Sequence, residues 1–322
     1  MSDTVSATIV EKWQAARDIH AFTLAVERPD AIGAAAPGAH IDVHLPSGAV
    51  RQYSLTGLSR DDPGRVTIAV LREEGGRGGS IEMCDTLSVG DRVPISPARN
   101  TFALDHGRPD YRLLAGGIGL TPILHMAFAL HDAGRSFQLD ICTRSPADVA
   151  FKTVIDATLF ADRIRYHHSA EAGNQRLDLP AYLAAIPPDT QLYACGPARM
   201  MDEIDRCTRD WGAERLRTER FSNEVADLSD EDSGVFTIEL ARSGRSFEIP
   251  EDKSILDVLN AEGISKDSSC LEGVCGTCIT EVVSGDIIHR DACLYDEEKE
   301  ANSAIACCVS RGRPGTTVVL DL

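Results

Sequence analysis

Cys270-Leu271-Glu272-Gly273-Val274-Cys275-Gly276-Thr277-Cys278 sets three cysteines in the order C-x4-C-x2-C, and Cys308 follows after 29 intervening residues. That is the spacing of a [2Fe–2S] centre. Each ferric ion takes two thiolates, so a compact loop supplies three and a distant segment supplies the fourth. Gly273 and Gly276 fall between ligands, where the backbone must wrap the cluster and turn N–H groups toward sulfur. Glycine permits the φ values that such wrapping needs. A zinc knuckle usually pairs two C-x2-C units, and this chain has one.

The surrounding segment, 235–322, resembles the plant-type ferredoxins over its whole length. The resemblance selects between adjacent Cys307 and Cys308. Cys308, followed by Val309-Ser310-Arg311, stands where that family places its last ligand. Cys307 would point to the opposite side of an extended segment. It joins Cys84, Cys142, Cys207 and Cys293 as a packing residue. The implied fold is a β-grasp domain, with a hairpin at 235–240 and 246–249, a short helix at 255–262 and a closing strand at 316–320.

Working back from this domain, VADLSDEDSG at 225–234 is polar and acidic and reads as a linker. Residues 108–224 alternate strands with helices. Strands are expected at 111–115, 137–143 and 191–194, and helices at 122–131 and 198–211. Such alternation predicts a parallel α/β sheet. Residues 1–107 carry short apolar-patterned runs between Gly, Pro and Asp turns, at 39–45, 51–55, 66–71 and 91–95. Close-spaced short strands predict an antiparallel barrel or sandwich. The length fits a multidomain chain of this kind.

Within the first domain, Arg51-Gln52-Tyr53-Ser54-Leu55-Thr56 is similar to the R-x-Y-S/T motif of the ferredoxin–NADP⁺ reductase superfamily. The resemblance implies a flavin, with Arg51 on its phosphate, Tyr53 packed on it and the Ser54 hydroxyl at N5. Strand alternation separates Tyr53 from Ser54, so the flavin must lie at a strand end. Gly75-Gly76-Arg77-Gly78-Gly79-Ser80 precedes a short helix expected at 81–86. Glycine turns that open a helix offer N–H groups to phosphate, and Arg77 and Ser80 add donors. Ala69, Val70 and Leu71 would edge the ring through backbone contacts.

Leu113-Leu114-Ala115-Gly116-Gly117-Ile118-Gly119-Leu120-Thr121-Pro122 follows a strand and opens a helix. It is similar to the superfamily's G-G-x-G-x-T-P turn, whose glycines admit a pyrophosphate to the backbone. By the same resemblance Thr121 contacts both cofactors. Cys195-Gly196-Pro197 lies beside the nicotinamide, and Phe221 of Glu219-Arg220-Phe221 covers the flavin until nicotinamide displaces it. Thr143 and Arg144, at the end of the next strand, meet the adenosine ribose. Arg144 could accept a 2′-phosphate, yet the resemblance implies NADH.

The domain order, with the ferredoxin last, resembles the phthalate dioxygenase reductase and vanillate demethylase reductase family over nearly the whole chain. That family implies FMN. It also implies a Rieske-type non-haem iron oxygenase as electron acceptor. The expected function is a relay from NADH through FMN to the cluster, since a flavin accepts an electron pair and releases single electrons. Two rivals remain: a self-contained reductase with a small-molecule acceptor, and a redox sensor.

Charge bears on the partner. The chain has Lys+Arg 32 against Asp+Glu 50, net −18, which argues against nucleic acid. From Asn223 onward there are 8 basic and 21 acidic residues. The acidity is either a solvated surface or a face for a basic partner. The first residues, MSDTVSATIV, carry neither the basic nor the apolar region of a secretory signal, so none is expected. The uncharged run 113–130 is interrupted by three glycines, a proline and a histidine, so no membrane span is expected. A cytoplasmic protein is expected, in which ten cysteines suit metal or redox chemistry better than disulfides. His167-His168 lacks a third ligand at helical spacing and reads as a strand end or loop.

Overall fold

The structure, a computed structural model, describes residues 4–32, 35–170, 176–212, 214–222, 229, 232–294 and 296–322. It divides into two compact units, Met1–Phe221 and Ser222–Leu322. Most of the expected linker at 225–234 lies outside the described residues.

The first unit begins with six antiparallel strands: β1 (Val5–Ala16), β2 (Ile19–Val26), β3 (His40–His44), β4 (Val50–Ser54), β5 (Arg65–Leu71) and β6 (Arg92–Ile95). Their order is β4-β3-β6-β1-β2-β5. An antiparallel bridge between Leu55 and Ile68 joins the two ends and closes the sheet into a barrel. Alternation aims Ile41, Val43, Val66, Ile68, Val70, Val93 and Ile95 into a dry interior. Shifts of register near Ile9 and Gln14 bend the long β1, as a closed sheet requires.

Five parallel strands follow: β7 (Asp110–Gly116), β8 (Ser136–Thr143), β9 (Ile164–His168), β10 (Thr190–Cys195) and β11 (Leu216–Glu219). Their order is β11-β10-β7-β8-β9. Near-continuous apolar runs such as Leu113-Leu114-Ala115 are covered on both faces, as parallel sheets demand. The uncharged stretch resolves into β7, a tight turn and helix Leu120–Asp132, ten of whose residues are buried. No described helix is long and apolar enough to cross a membrane. The helix expected at 198–211 ends earlier, at Cys207. There the Thr208 hydroxyl donates to the Ile204 carbonyl (2.7 Å), and Trp211 lies beyond the helix, packed beside Leu216 against the core of this face. His167 and His168 end β9, as expected.

The second unit holds β12 (Phe236–Leu240), β13 (Ser246–Ile249), β14 (Ile279–Ser284), β15 (Ile287–Ile288), β16 (Ala304–Ala306), β17 (Arg311–Gly312) and β18 (Thr317–Leu320). The main sheet runs β13-β12-β18-β14-β16, with β12 and β18 parallel. Helix Ile255–Ala261 starts from a capping box, in which Ser254 and Asp257 satisfy each other's backbone N–H groups. It lays Ile255, Leu256 and Leu259 on the core of the sheet. A second, shorter helix spans Asp296–Glu300, and a mixed sheet with a helix packed on it is the layout expected of a β-grasp domain.

Candidate functional site

In the second unit the four motif cysteines come together as two pairs. Cys278 Sγ and Cys308 Sγ lie 3.2 Å apart, and the thiols of Cys270 and Cys275 are hydrogen-bonded. Hydrogen bonding within each pair lowers one member's pKa, Cys275 by Cys270 and Cys278 by Cys308. The Glu272 backbone N–H donates to Cys270 Sγ (3.4 Å), and Thr277 Oγ1 lies 3.2 Å from Cys275 Sγ. Gly273 sits at φ +70°, where a Cβ would strike Val309 and Asp291, so glycine is required there. Among the described residues no three or more His, Cys, Asp or Glu converge on a single ion. Two thiol pairs suit a dinuclear cluster, which takes two ligands per iron. Cys307 is fully buried and meets the Thr280 hydroxyl at 3.3 Å, on the core side of the strand end.

The flavin motif ends the barrel strand β4. Tyr53 packs against the barrel interior, while Ser54, on the opposite face, is buried. The Arg51 guanidinium donates to the carbonyls of Val50 (2.8 Å) and Arg77 (3.1 Å), which ties β4 to the glycine-rich turn. Gly79 presses on this guanidinium so closely that a Cβ would overlap it. In front of Gly78, by contrast, a Cβ would meet nothing within 4 Å. The Ser80 hydroxyl accepts from the Glu73 N–H (3.1 Å). The helix expected at 81–86 is a helical turn at Gly79–Ile81 that runs into a wider turn, Glu82–Thr86. Ala69, Val70 and Leu71 pair with β2 on one edge. Theirs is the last strand of the order, bridged on its other edge at Ile68 by Leu55.

The two nicotinamide turns meet at the C-terminal end of the parallel sheet. A Cβ on Gly119 would collide with the Cys195 carbonyl, and one on Gly116 would meet Pro197 Cδ at 2.7 Å. Gly117, at φ +54°, faces open space. Thr121 is buried and its hydroxyl donates to the Ile118 carbonyl (3.0 Å). It opens helix Leu120–Asp132 together with Pro122. Thr143 Oγ1 is 2.8 Å from His168 Nδ1, whereas Arg144 is exposed. Cys195 is fully buried, and burial, with Glu219 nearby, pushes its thiol pKa well up. It is a neutral thiol, not a nucleophile.

Sequence reasoning overlooked Glu219 as a participant. It pairs in register with Cys195 across β10 and β11. The Ser54 hydroxyl donates to its carboxyl, but burial dominates and raises its pKa to about 8. Its Oε2 atom is shut from solvent and has no partner. The available signal was its place two residues before Phe221. Arg220 between them bridges Asp202 (2.8 Å) and Asp205 (2.6 Å) of helix Ala198–Cys207. Phe221 is 37% exposed at the end of the unit.

Open space before Gly78 and Gly117, an orphaned buried carboxyl oxygen and paired thiols all fit the cofactors inferred from the sequence. Together the fold and these features define an oxidoreductase of the flavin and iron–sulfur class. Residues 238–311 match the 2Fe-2S iron-sulfur cluster binding domain. The chain is 40% identical to vanillate O-demethylase oxidoreductase of Pseudomonas sp. (strain HR199 / DSM 7063), over 88% of its length and 89% of the relative's. It is 38% identical to phthalate dioxygenase reductase of Burkholderia cepacia, over 98% and 96%. The solved structure titled as phthalate dioxygenase reductase, a modular structure for electron transfer from pyridine nucleotides to [2Fe-2S], superposes with a TM-score of 0.72. It shares 37% identity over 99% of this chain and 98% of that one. The chain belongs to this family of reductases. FMN, a [2Fe–2S] cluster and NADH, the set expected from the sequence, are the cofactors that go with it.

Proposed function

We propose that this chain is the reductase component of an oxygenase system, taking electrons from NADH and delivering them singly to a Rieske-type, non-haem iron oxygenase. The substrate class of that oxygenase is an aromatic acid or a small amine. When bound, FMN takes up an electron pair and lets it go one electron at a time, and the cluster carries single electrons onward.

The chain's own residues divide the work. Cys270 and Cys275 hold one iron, and Cys278 and Cys308 the other. Arg51 and the turn Arg77–Ser80 hold the FMN phosphate, Tyr53 and the edge 69–71 seat the ring, and Ser54 orients N5. The turns Gly116–Pro122 and Cys195–Pro197 seat the dinucleotide, with Thr143 and Arg144 at its adenosine end. Phe221 covers the ring face until nicotinamide enters. Positioning accounts for the rate here, because hydride transfer needs a near-attack geometry and excluded water. The domains assigned are 1–107 for flavin, 108–224 for nicotinamide and 235–322 for the cluster, joined by 225–234. A cytoplasmic location follows from the expected partner.

The observation that carries this reading is the meeting of the two glycine turns beside Cys195, with Glu219 linking that point to Ser54. That meeting supports a nicotinamide seat and a flavin seat side by side. Purified chain with NADH should reduce ferricyanide and cytochrome c and oxidise no organic substrate. Oxygenation should appear only on adding an oxygenase, and its rate should fall with salt if the acidic cluster domain steers docking. Substrate oxygenation by the chain alone would refute the proposal.

A further inference from the structure

Asp291, between β15 and helix Asp296–Glu300, is buried, and its side chain is 0% exposed. It packs on the ligand loop. A Cβ on Gly273 would come within 3.1 Å of the Asp291 Cβ, and the Ala292 N–H donates to the Gly273 carbonyl (2.9 Å). The Gly273 backbone is in turn hydrogen-bonded to Cys308. The Asp291 carboxylate accepts from the Ser310 hydroxyl (2.9 Å), two residues beyond Cys308, and from the Leu294 N–H (3.0 Å). Cys293 Sγ lies 3.6 Å from the same carboxylate, and this thiol is within electrostatic reach of Cys278 and Cys275. One buried acid is thus braced against both segments that carry the cluster ligands.

We propose that Asp291 sets the reduction potential of the [2Fe–2S] centre: its fixed negative charge beside the ligand loop lowers that potential and makes the centre a stronger one-electron donor to its acceptor. The inference rests on the cluster reading above. Reduction adds one electron to the centre, supplied by the flavin, and no bond forms or breaks. The reduced centre then hands that electron to the acceptor. It carries one more negative charge than the oxidised centre, so a neighbouring carboxylate disfavours it. Between buried groups that repulsion is little screened by salt.

The surroundings point to the charge rather than to the shape of this side chain. Burying a carboxylate carries a desolvation cost that an amide of the same outline largely avoids. Burial pushes the Asp291 pKa up, yet the Leu294 N–H, Lys299, the Ser310 hydroxyl and His289 outweigh it and leave it below the ordinary aspartate value. The acid is therefore ionised at neutral pH. Lys299 offsets the charge only in part. Its Nζ donates to the Asp291 carbonyl (2.9 Å) and stands 4.0 Å from Oδ2, on a side chain that is 26% exposed and so meets solvent. His289 Nδ1 lies 3.5 Å from Oδ1. Arg290 turns its guanidinium to the Val309 carbonyl (3.5 Å) and its backbone N–H to Ser310 Oγ (3.1 Å).

The test is a redox titration of FMN- and cluster-loaded protein, followed by electron paramagnetic resonance of the reduced cluster, in Asp291→Asn and Lys299→Met. Iron and acid-labile sulfide content verify that each variant is loaded. D291N removes the negative charge and keeps the outline. Its reduction equilibrium should shift about tenfold or more toward the reduced form, about 59 mV upward for a one-electron couple. K299M removes the partial counter-charge and should shift the equilibrium the opposite way, by about twofold or more. A residue that only braced the loop would let water toward the cluster in either variant and move both potentials in the same direction. A D291N equilibrium within about twofold of the unaltered protein, or shifts of one sign in both variants, overturns the proposal. If D291N does not hold its cluster, K299M decides alone: a downward shift supports the proposal, and no shift or an upward one overturns it. Unaltered, folded protein with no reducible cluster overturns the underlying reading instead.

Discussion

Ser54, the last residue of a barrel strand, donates its hydroxyl to the carboxyl of Glu219, the last residue of a parallel-sheet strand. The bond spans two sheets that share no backbone ladder. In the proposed function it holds the N5 end of the flavin seat against the nicotinamide turn. Ser54→Ala should therefore keep FMN while slowing bleaching by NADH by about 10²-fold, the usual scale for a misplaced reacting pair. Stopped-flow absorbance at the flavin band measures it, and a change under threefold would contradict the role.

Glu219 also writes a pH dependence into stability. Unfolded, it ionises near the ordinary glutamate value of about 4.3; folded, burial holds its pKa at about 8. Between these values the unfolded chain has released a proton that the native state keeps, so this contribution to stability falls as pH rises and levels off above about 8. Glu219→Gln has no such proton. The temperature of FMN release, followed by flavin fluorescence, should decline from pH 5 to 8 more steeply in the unaltered protein than in E219Q. Parallel curves would remove the buried-acid account.

Adjacent Cys307 and Cys308 should separate cleanly. Cys308 lies 3.2 Å from Cys278, whereas Cys307 faces Thr280 in the core. Cys308→Ala should abolish the visible cluster absorbance and the iron content. Cys307→Ala should retain both and lose about 1–2 kcal/mol of stability, as a small buried truncation does. The reverse pattern would reassign the fourth ligand.

Cys195 is a fully buried, neutral thiol. Iodoacetamide should leave NADH–ferricyanide activity intact over hours at pH 7, because only the thiolate reacts. Cys195→Ser should lower kcat with little effect on KM, through altered placement of the nicotinamide. Rapid alkylation with loss of activity would show the turn to be open and the thiol ionised.

Much of this was readable from short stretches. Cys270–Cys278 and Gly116–Pro122 are local motifs, whose function lies in spacing and backbone, and each is recognisable before its distant partner, Cys308 or Cys195–Pro197, is placed. The hydrogen bond from Ser54 to Glu219 could not be read that way, since it joins strands of different sheets and depends on their docking. The overlong helix expected past Cys207 reflects an apolar pattern that runs on, while the Thr208 hydroxyl turns back to Ile204.

The most direct test of the central claim is cofactor analysis of anaerobically purified protein. Acid release followed by chromatography identifies the flavin, with iron and acid-labile sulfide assayed beside it. One FMN, two irons and two sulfides per chain are predicted. FAD in place of FMN would break the subfamily assignment and its oxygenase partner, and folded protein without labile sulfide would contradict the account at its root.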